Sequence, residues 1–244
     1  MSAMSPTVMS SPVRDAALVL YSGGQDSSVC LAWALSRYTR VETVGFDYGQ
    51  RHVVEMQARL TLRAGLVAAF PDWAVRLGED HVLDLRGFGA VAQSALTADR
   101  AIAVAAGGLP TTFVPGRNLV FLVYAAALAD RRNIDVLVGG MGEADYSGYP
   151  DCRQSTLDTQ IRALQLGIER PYSLETPLMS LDKRGIWALA HELGGDALVE
   201  LIVRDSHTCY RGDRTHLHPW GYGCNDCPAC DLRARGYEQW RASL

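Results

Sequence analysis

Residues 16–28 read AALVLYSGGQDSS, and the change of character along them decides the fold. Residues 16–21 form a short apolar run that stops at a pair of glycines, the pattern of a buried parallel strand. The next residues, Ser22-Gly23-Gly24-Gln25-Asp26-Ser27-Ser28, make a turn. Gly23 and Gly24 let backbone N–H groups approach an anion, and a following helix start adds its dipole and its unsatisfied donors. Ser22 and Ser27 bring hydroxyls, and Asp26 is placed to orient a pyrophosphate carried with Mg²⁺. Apolar residues at helical spacing over 27–38 supply that helix. The turn lacks both the G-x-x-x-x-G-K-[ST] loop and the dinucleotide G-x-G-x-x-G pattern. Strand, anion-cradling turn and helix together predict an α/β protein.

Working outward, VETVGF (41–46), residues 81–85 and IDVLVG (134–139) read as further strands. Helical periodicity marks 55–70, 118–131, 156–166 and 183–193. This alternation predicts a doubly wound, mostly parallel sheet with helices on both faces, whose ligands lie outside the carboxyl ends of the strands. The Gly/Pro/Thr-rich stretch 106–117 reads as a long functional loop. At roughly 150 residues per domain, 244 residues make one large domain or one with an appendage. The expected division is a loose tail over 1–13, a catalytic domain over 14–200 and a C-terminal segment over 201–244. The tail carries no basic start of the kind a secretory signal needs, and the apolar run 118–130 is too short to span a bilayer, so the expected location is cytoplasmic. A net charge of −4 argues against a phosphate-tracking surface, leaving small molecules rather than nucleic acid or membrane as partners.

Three polar constellations fall at predicted strand ends or helix starts. FDYGQRH (46–52) offers Tyr48, Gln50 and Arg51. FVPGRN (113–118) puts the cation of Arg117 beside Asn118 at a helix start, suited to a phosphate or carboxylate. The loop over 139–153 carries Glu143, Asp145, Ser147, Tyr149 and Asp151 among glycines, a set able to hydrogen-bond a flat, N–H-rich heterocycle. Of the 23 Lys and Arg residues a single one is lysine, Lys183, following ETPLMSLD (175–182). Asp182 before it is a natural helix cap. Near the C-terminus, Cys224, Cys227 and Cys230 follow a C-x₂-C-x₂-C spacing, with Cys209 upstream. Four thiolates suit tetrahedral Zn²⁺ and leave no position for substrate water, which predicts a structural site. Arg233 and Arg235 are near enough in sequence to offset its charge. His216 and His218 lie in the intervening segment and read as solvated side chains.

The SGGQDS turn resembles the SGGxDS loop of the ATP pyrophosphatase, or PP-loop, superfamily. SGGQDS, FDYGQRH, FVPGRN, SGYPDCR, ETPLM and the cysteine ending occur in this order in the 7-cyano-7-deazaguanine synthase family, and the resemblance covers about residues 18–237. It implies an adenine nucleotide alpha hydrolase-like sheet with a small zinc-binding appendage, in a homodimeric enzyme using ATP, Mg²⁺ and Zn²⁺. The implied reaction joins 7-carboxy-7-deazaguanine and ammonia into 7-cyano-7-deazaguanine through an adenylated acid and an adenylated amide. Carried onto this chain, ATP would contact the stretch Tyr21, Ser22, Gly23, Gly24, Gln25, Asp26, Ser27, Ser28, Val29, Cys30 and Leu31. Asp26 and Lys183 would serve the chemistry, with Lys183 beside the phosphates. Tyr48, Gln50, Arg51, Arg117, Asn118, Glu143, Asp145, Ser147, Tyr149 and Asp151 would surround the nucleobase. Cys209, Cys224, Cys227 and Cys230 would hold zinc. Superfamily rivals are a ligase acting on another acid and a tRNA-thiolating enzyme; the latter would want a basic RNA-binding extension, which this chain lacks. A zinc-ribbon module with a decayed ATP loop is the non-enzymatic rival, opposed by the intact loop and Lys183.

Overall fold

The structure, a computed structural model, describes residues 15–50, 54–92, 94–97, 101, 103, 109–143 and 148–244. Arg51, Asp145, Ser147, the segment 1–13 and residues 106–108 of the predicted loop lie outside the described residues. β1 (Ala16–Leu20) leads through the SGGQDS turn into α1 (Gln25–Leu35). β2 (Arg40–Asp47), α2 (Val54–Ala69), the short α3 (Pro71–Ala74), β3 (Leu77–Asp84) and α4 (Arg86–Val91) follow. Then come α5 (Arg117–Arg132), β4 (Val136–Val138), a 3₁₀ turn (Pro150–Cys152), α6 (Gln154–Ile168) and β5 (Ser173–Glu175). The chain closes with α7 (Lys183–Asp205), a hairpin of β6 (Leu217–His218) and β7 (Gly221–Tyr222), and α8 (Pro228–Arg241).

The five main strands are parallel and ordered β3-β2-β1-β4-β5. Period-two alternation in β1 feeds both faces. Ala17 and Val19 pack under α1, α2, α7 and α8, while Leu18 packs under α5 and α6. The chain runs outward from β1 to β3, then returns to place β4 on the other side of β1. The switch point therefore lies between β1 and β4, where such sheets leave a crevice. Among the described residues no helix is long and apolar enough to cross a membrane.

The helix predicted over 183–193 ends where the backbone leaves helical values, at Gly194 and Gly195 (φ +61°), and resumes to Asp205. β5 and α8 have no counterpart in the sequence reading. β5 is only three residues long, too short for its alternation to register, and α8 is polar on average, its buried residues limited to one stripe.

Candidate active site

The turn after β1 is held by its own hydroxyls. Ser27 Oγ accepts from the amides of Ser22 and Gly23, each at 3.2 Å, and lies 3.1 Å from Ser22 Oγ. Gly23 sits at φ +88°, and a Cβ there would come within 2.8 Å of the Arg59 amide and 2.9 Å of the Glu55 carbonyl oxygen. Only glycine lets α2 rest on the turn this closely. α1 then starts at Gln25 with no side-chain cap from Gly24; the Gln25 amide donates to Thr208 Oγ1 at 3.5 Å, which leaves the next amides of the first turn to an anion.

Across the turn, Asp182 caps α7 by accepting the Gly185 amide at 2.8 Å, which fixes Lys183 at the head of the helix. Lys183 Nζ donates to both Asp26 oxygens, at 2.9 and 2.7 Å, with its side chain only 9% exposed. The C-terminal helix backs it: a Cβ on Gly236 of α8 would collide with Lys183 Cβ and stand 2.7 Å from its carbonyl carbon.

These groups open onto a cavity of about 330 Å³ at the carboxyl ends of β1, β2 and β4. Ser22, Gly24, Gln25, Asp26, Ser27 and Lys183 line one side; Tyr48, Gln50, Arg117, Asn118 and Tyr149 line another. Arg117 lies 6.0 Å from the ring centres of both Tyr48 and Phe121. Burial works against its charge, but Tyr48, Asp151 and Tyr149 outweigh it and hold the guanidinium above its ordinary pKa. Among the described residues, Arg117 Nε and both amide atoms of Gln25 are buried without a hydrogen-bond partner. Unsatisfied buried polar atoms are rare in native structures, and several facing one cavity mark where a polar ligand sits.

Other expected contacts fall elsewhere. Val29, Cys30 and Leu31 are fully buried in the core and absent from the cavity wall, because one turn of helix carries them onto the sheet. Asp151 is buried beneath the start of α5, where it accepts the Asn118 amide at 3.0 Å. Glu143 accepts the Gln154 amide at 2.7 Å and faces a separate recess with Gly148, Tyr149 and Arg153. Both carboxylates tie loops to helix starts. Cys152, not assigned a role from sequence, lies in the cavity wall with the Asn118 amide nitrogen 3.2 Å from its sulfur.

Sequence reasoning missed Glu55, Arg59, His207, Thr208 and Tyr210, which also line the cavity. Glu55 and Arg59 stand four apart on α2, on the helix face turned toward FDYGQRH, and that spacing was the available signal. Burial pushes Glu55 up to about 7, against the pull of Arg117. Thr208 and Tyr210 flank Cys209, so the cysteine segment forms part of the cavity wall.

The sulfurs of Cys209, Cys224, Cys227 and Cys230 all lie within 4.8 Å of one another, with no disulfide among them. Hydrogen bonds from Cys227 and Cys230 hold the Cys209 thiol far below its ordinary pKa, while burial pushes Cys224 up to about 11. The Arg211 amide also points at Cys209 Sγ, at 3.4 Å. Four convergent sulfurs, with Cys209 held toward the thiolate by its neighbours, fit a tetrahedral soft-metal site. The histidines are occupied elsewhere: His216 pairs with Asp213 at 2.7 Å, and His218 contacts the Gly223 carbonyl at 2.9 Å and stacks on Trp220. Arg233, fully buried, donates to the carbonyls of Trp220 and Ile202 and to Thr208 Oγ1, binding the cysteine segment to α7. Arg235 instead pairs with Asp231 at the surface, so it does not balance the thiolates.

Comparison with known proteins bears on what this cavity does. The family described as queuosine biosynthesis protein QueC matches residues 16–241. A 7-cyano-7-deazaguanine synthase of Caulobacter vibrioides is 69% identical over 232 residues, covering 95% of this chain and 96% of the relative. The synthases of Maricaulis maris and Parvibaculum lavamentivorans are 67% and 58% identical, over 93% and 96% of this chain and 94% and 99% of their own lengths.

Proposed function

The chain belongs to the QueC family of queuosine biosynthesis proteins, and on that premise we propose that it is an ATP-dependent 7-cyano-7-deazaguanine synthase. The observation that carries the reading is the convergence on one switch-point cavity of the SGGQDS turn, the Asp26–Lys183 pair and Arg117. ATP enters with its phosphates toward the turn, where Ser22, Gly24 and the first-turn amides of α1 bind them. Asp26 would orient the pyrophosphate carried with Mg²⁺, which when bound would neutralise part of the triphosphate charge. Lys183 meets the charge that grows on pyrophosphate as it departs, an interaction stronger in the transition state than in the ground state.

The nucleobase occupies the side of Tyr48, Gln50, Tyr149 and Asn118, with Arg51, Asp145 and Ser147 as further expected contacts. Arg117 presents its unsatisfied Nε to the carboxylate of 7-carboxy-7-deazaguanine. That carboxylate attacks the α-phosphorus and expels pyrophosphate. Ammonia attacks the resulting acyl-adenylate, the C–N bond forms, AMP leaves, and the primary amide remains. Adenylation of the amide oxygen then gives a good leaving group, whose departure as AMP leaves the nitrile. One cavity serves both rounds because acid and amide differ by one small group on an unchanged ring.

Residues 14–200 form the ATP-binding catalytic domain in this reading, and 201–244 the zinc-binding segment. Zn²⁺ held by Cys209, Cys224, Cys227 and Cys230 fixes the wall carrying Thr208 and Tyr210. The reduced thiols suit a cytoplasmic enzyme, and likeness to the family suggests a homodimer. Mass spectrometry after incubation with ATP, ammonia and 7-carboxy-7-deazaguanine tests the reading. Formation of the nitrile supports it; recovery of unchanged acid overturns it.

A further inference from the structure

Among the described residues, two carboxylates line the cavity, Asp26 and Glu55. Asp26 has both oxygens engaged by Lys183 at 2.9 and 2.7 Å. It is held as an ion-pair partner and is poorly placed to collect a proton. Glu55 sits in the first turn of α2, whose backbone rests directly on Gly23 of the phosphate turn. Its carboxyl therefore stands on the wall between the phosphate side and the ring side of the cavity, in electrostatic contact with both Arg117 and Tyr48.

The proposed reaction needs such a group. Collapse of an adenylated amide breaks the C–O bond, whose electrons leave on AMP. The N–H electron pair becomes the third C–N bond, and the proton must be accepted. Resting on the reading given above, we infer that Glu55 is the general base that takes this proton from nitrogen as the nitrile forms. The same carboxylate is available to receive a proton from the ammonia-derived nitrogen in the first round.

Its environment suits the task. The charged groups facing it are Arg117 from α5 and, across the cavity, Lys183 from α7 paired with Asp26 from α1; Arg59 follows one turn along α2, and Tyr48 closes the end of β2. Burial outweighs the pull of Arg117 and brings the carboxyl up to about 7, the region where a base is both available and strong enough at neutral pH. The carboxylate form dominates above that value, so activity carried by it rises through pH 7 and is lost as pH falls.

The test uses amide-to-nitrile conversion with ATP, which consumes no ammonia, so the changing fraction of free NH₃ cannot imitate the titration. Wild-type kcat should fall on the acid side with a limb near pH 7. Glu55→Gln should lose about 10²–10⁴-fold in nitrile formation and lose the limb. Its ATP–pyrophosphate exchange with the acid should fall at least about tenfold less than its nitrile formation, since exchange needs no base on this side. Glu55→Asp, which retains a displaced carboxyl, should shift the limb, and it carries the test if Glu55→Gln unfolds. Nitrile formation by Glu55→Gln within threefold of wild type overturns the inference, as does an unmoved limb in Glu55→Asp. An equal loss of exchange and nitrile formation in folded Glu55→Gln also overturns it, because that is the pattern of a binding defect. Absence of exchange and of nitrile in the wild-type protein would instead refute the synthase reading itself.

Discussion

Lys183 and Asp26 stand 157 positions apart and meet at 2.7 Å, and this pair is where residue chemistry is most exposed to test. Lys183→Ala removes the cation paired with Asp26 at the phosphate turn. Loss of a charge contact made in the transition state should raise the barrier by roughly 2.7–4 kcal/mol, by analogy with an oxyanion-hole donor. Pyrophosphate release should fall accordingly while the circular-dichroism spectrum stays native; near wild-type release would return Lys183 to a purely structural ion pair. Arg117→Lys tests the other end of the cavity. It keeps the charge but loses the forked donor geometry, so KM for the acid should rise about 10- to 100-fold, equivalent to a charged hydrogen bond of about 1.5–3 kcal/mol. The neutral amide should be affected less. Equal effects on both substrates would detach Arg117 from the carboxylate. Lys183 was legible in the sequence because it is the lone lysine. Glu55 was hidden because an acid on an amphipathic helix looks solvated until the packing of α2 on Gly23 is seen.

At the scale of elements, α8 backs the site, with Ala229 and Leu232 in the cavity wall. Gly236 lies flat against Lys183, and Trp187 Nε1 donates to the Arg233 carbonyl at 3.4 Å, so α7 and α8 are locked in register. Gly236→Ala should push the head of α7 outward, lower stability by about 1–3 kcal/mol as overpacking does, and reduce turnover more than KM for ATP. Thermal melts with steady-state assays check this; an unchanged kcat would show that Lys183 tolerates displacement. Strands and helices flanking the SGGQDS turn were readable because their hydrophobic periods are strong: residues 16–21, 41–46 and 134–139 all map onto sheet strands. β3 begins four residues before the predicted 81, because Leu77–Asp80 (LGED) lies partly covered at a sheet edge and carries a single apolar side chain, too few for a period to register. Glu143 and Asp151 illustrate the reverse case. Their placement in a polar strand-end loop suggested ligand contacts, whereas each caps backbone amides, a role that depends on how the loop closes.

For the whole molecule, the cysteine segment is both a staple and a cavity wall. Thr208 and Tyr210 flank Cys209 in the cavity wall, and Arg233 ties Thr208 to α7. Cys227→Ser should therefore lower zinc content and melting temperature together, since metal binding energy is folding energy; wild-type protein with reduced cysteines and no zinc by elemental analysis would contradict that account. The spacing of the cysteines made the cluster legible, but its contribution to the cavity was not, because Thr208 reaches the Gln25 amide, and Tyr210 the side of Tyr149 and Arg117, only through the fold. The central claim is that one cavity adenylates its substrate twice. Its most direct test is the ratio of nucleotide products to nitrile formed from the acid with ATP and ammonia, followed by quantitative chromatography. Two AMP and two pyrophosphate per nitrile, with added amide also converted, is the result expected; ADP and phosphate as the nucleotide products, or an inert amide, would contradict it.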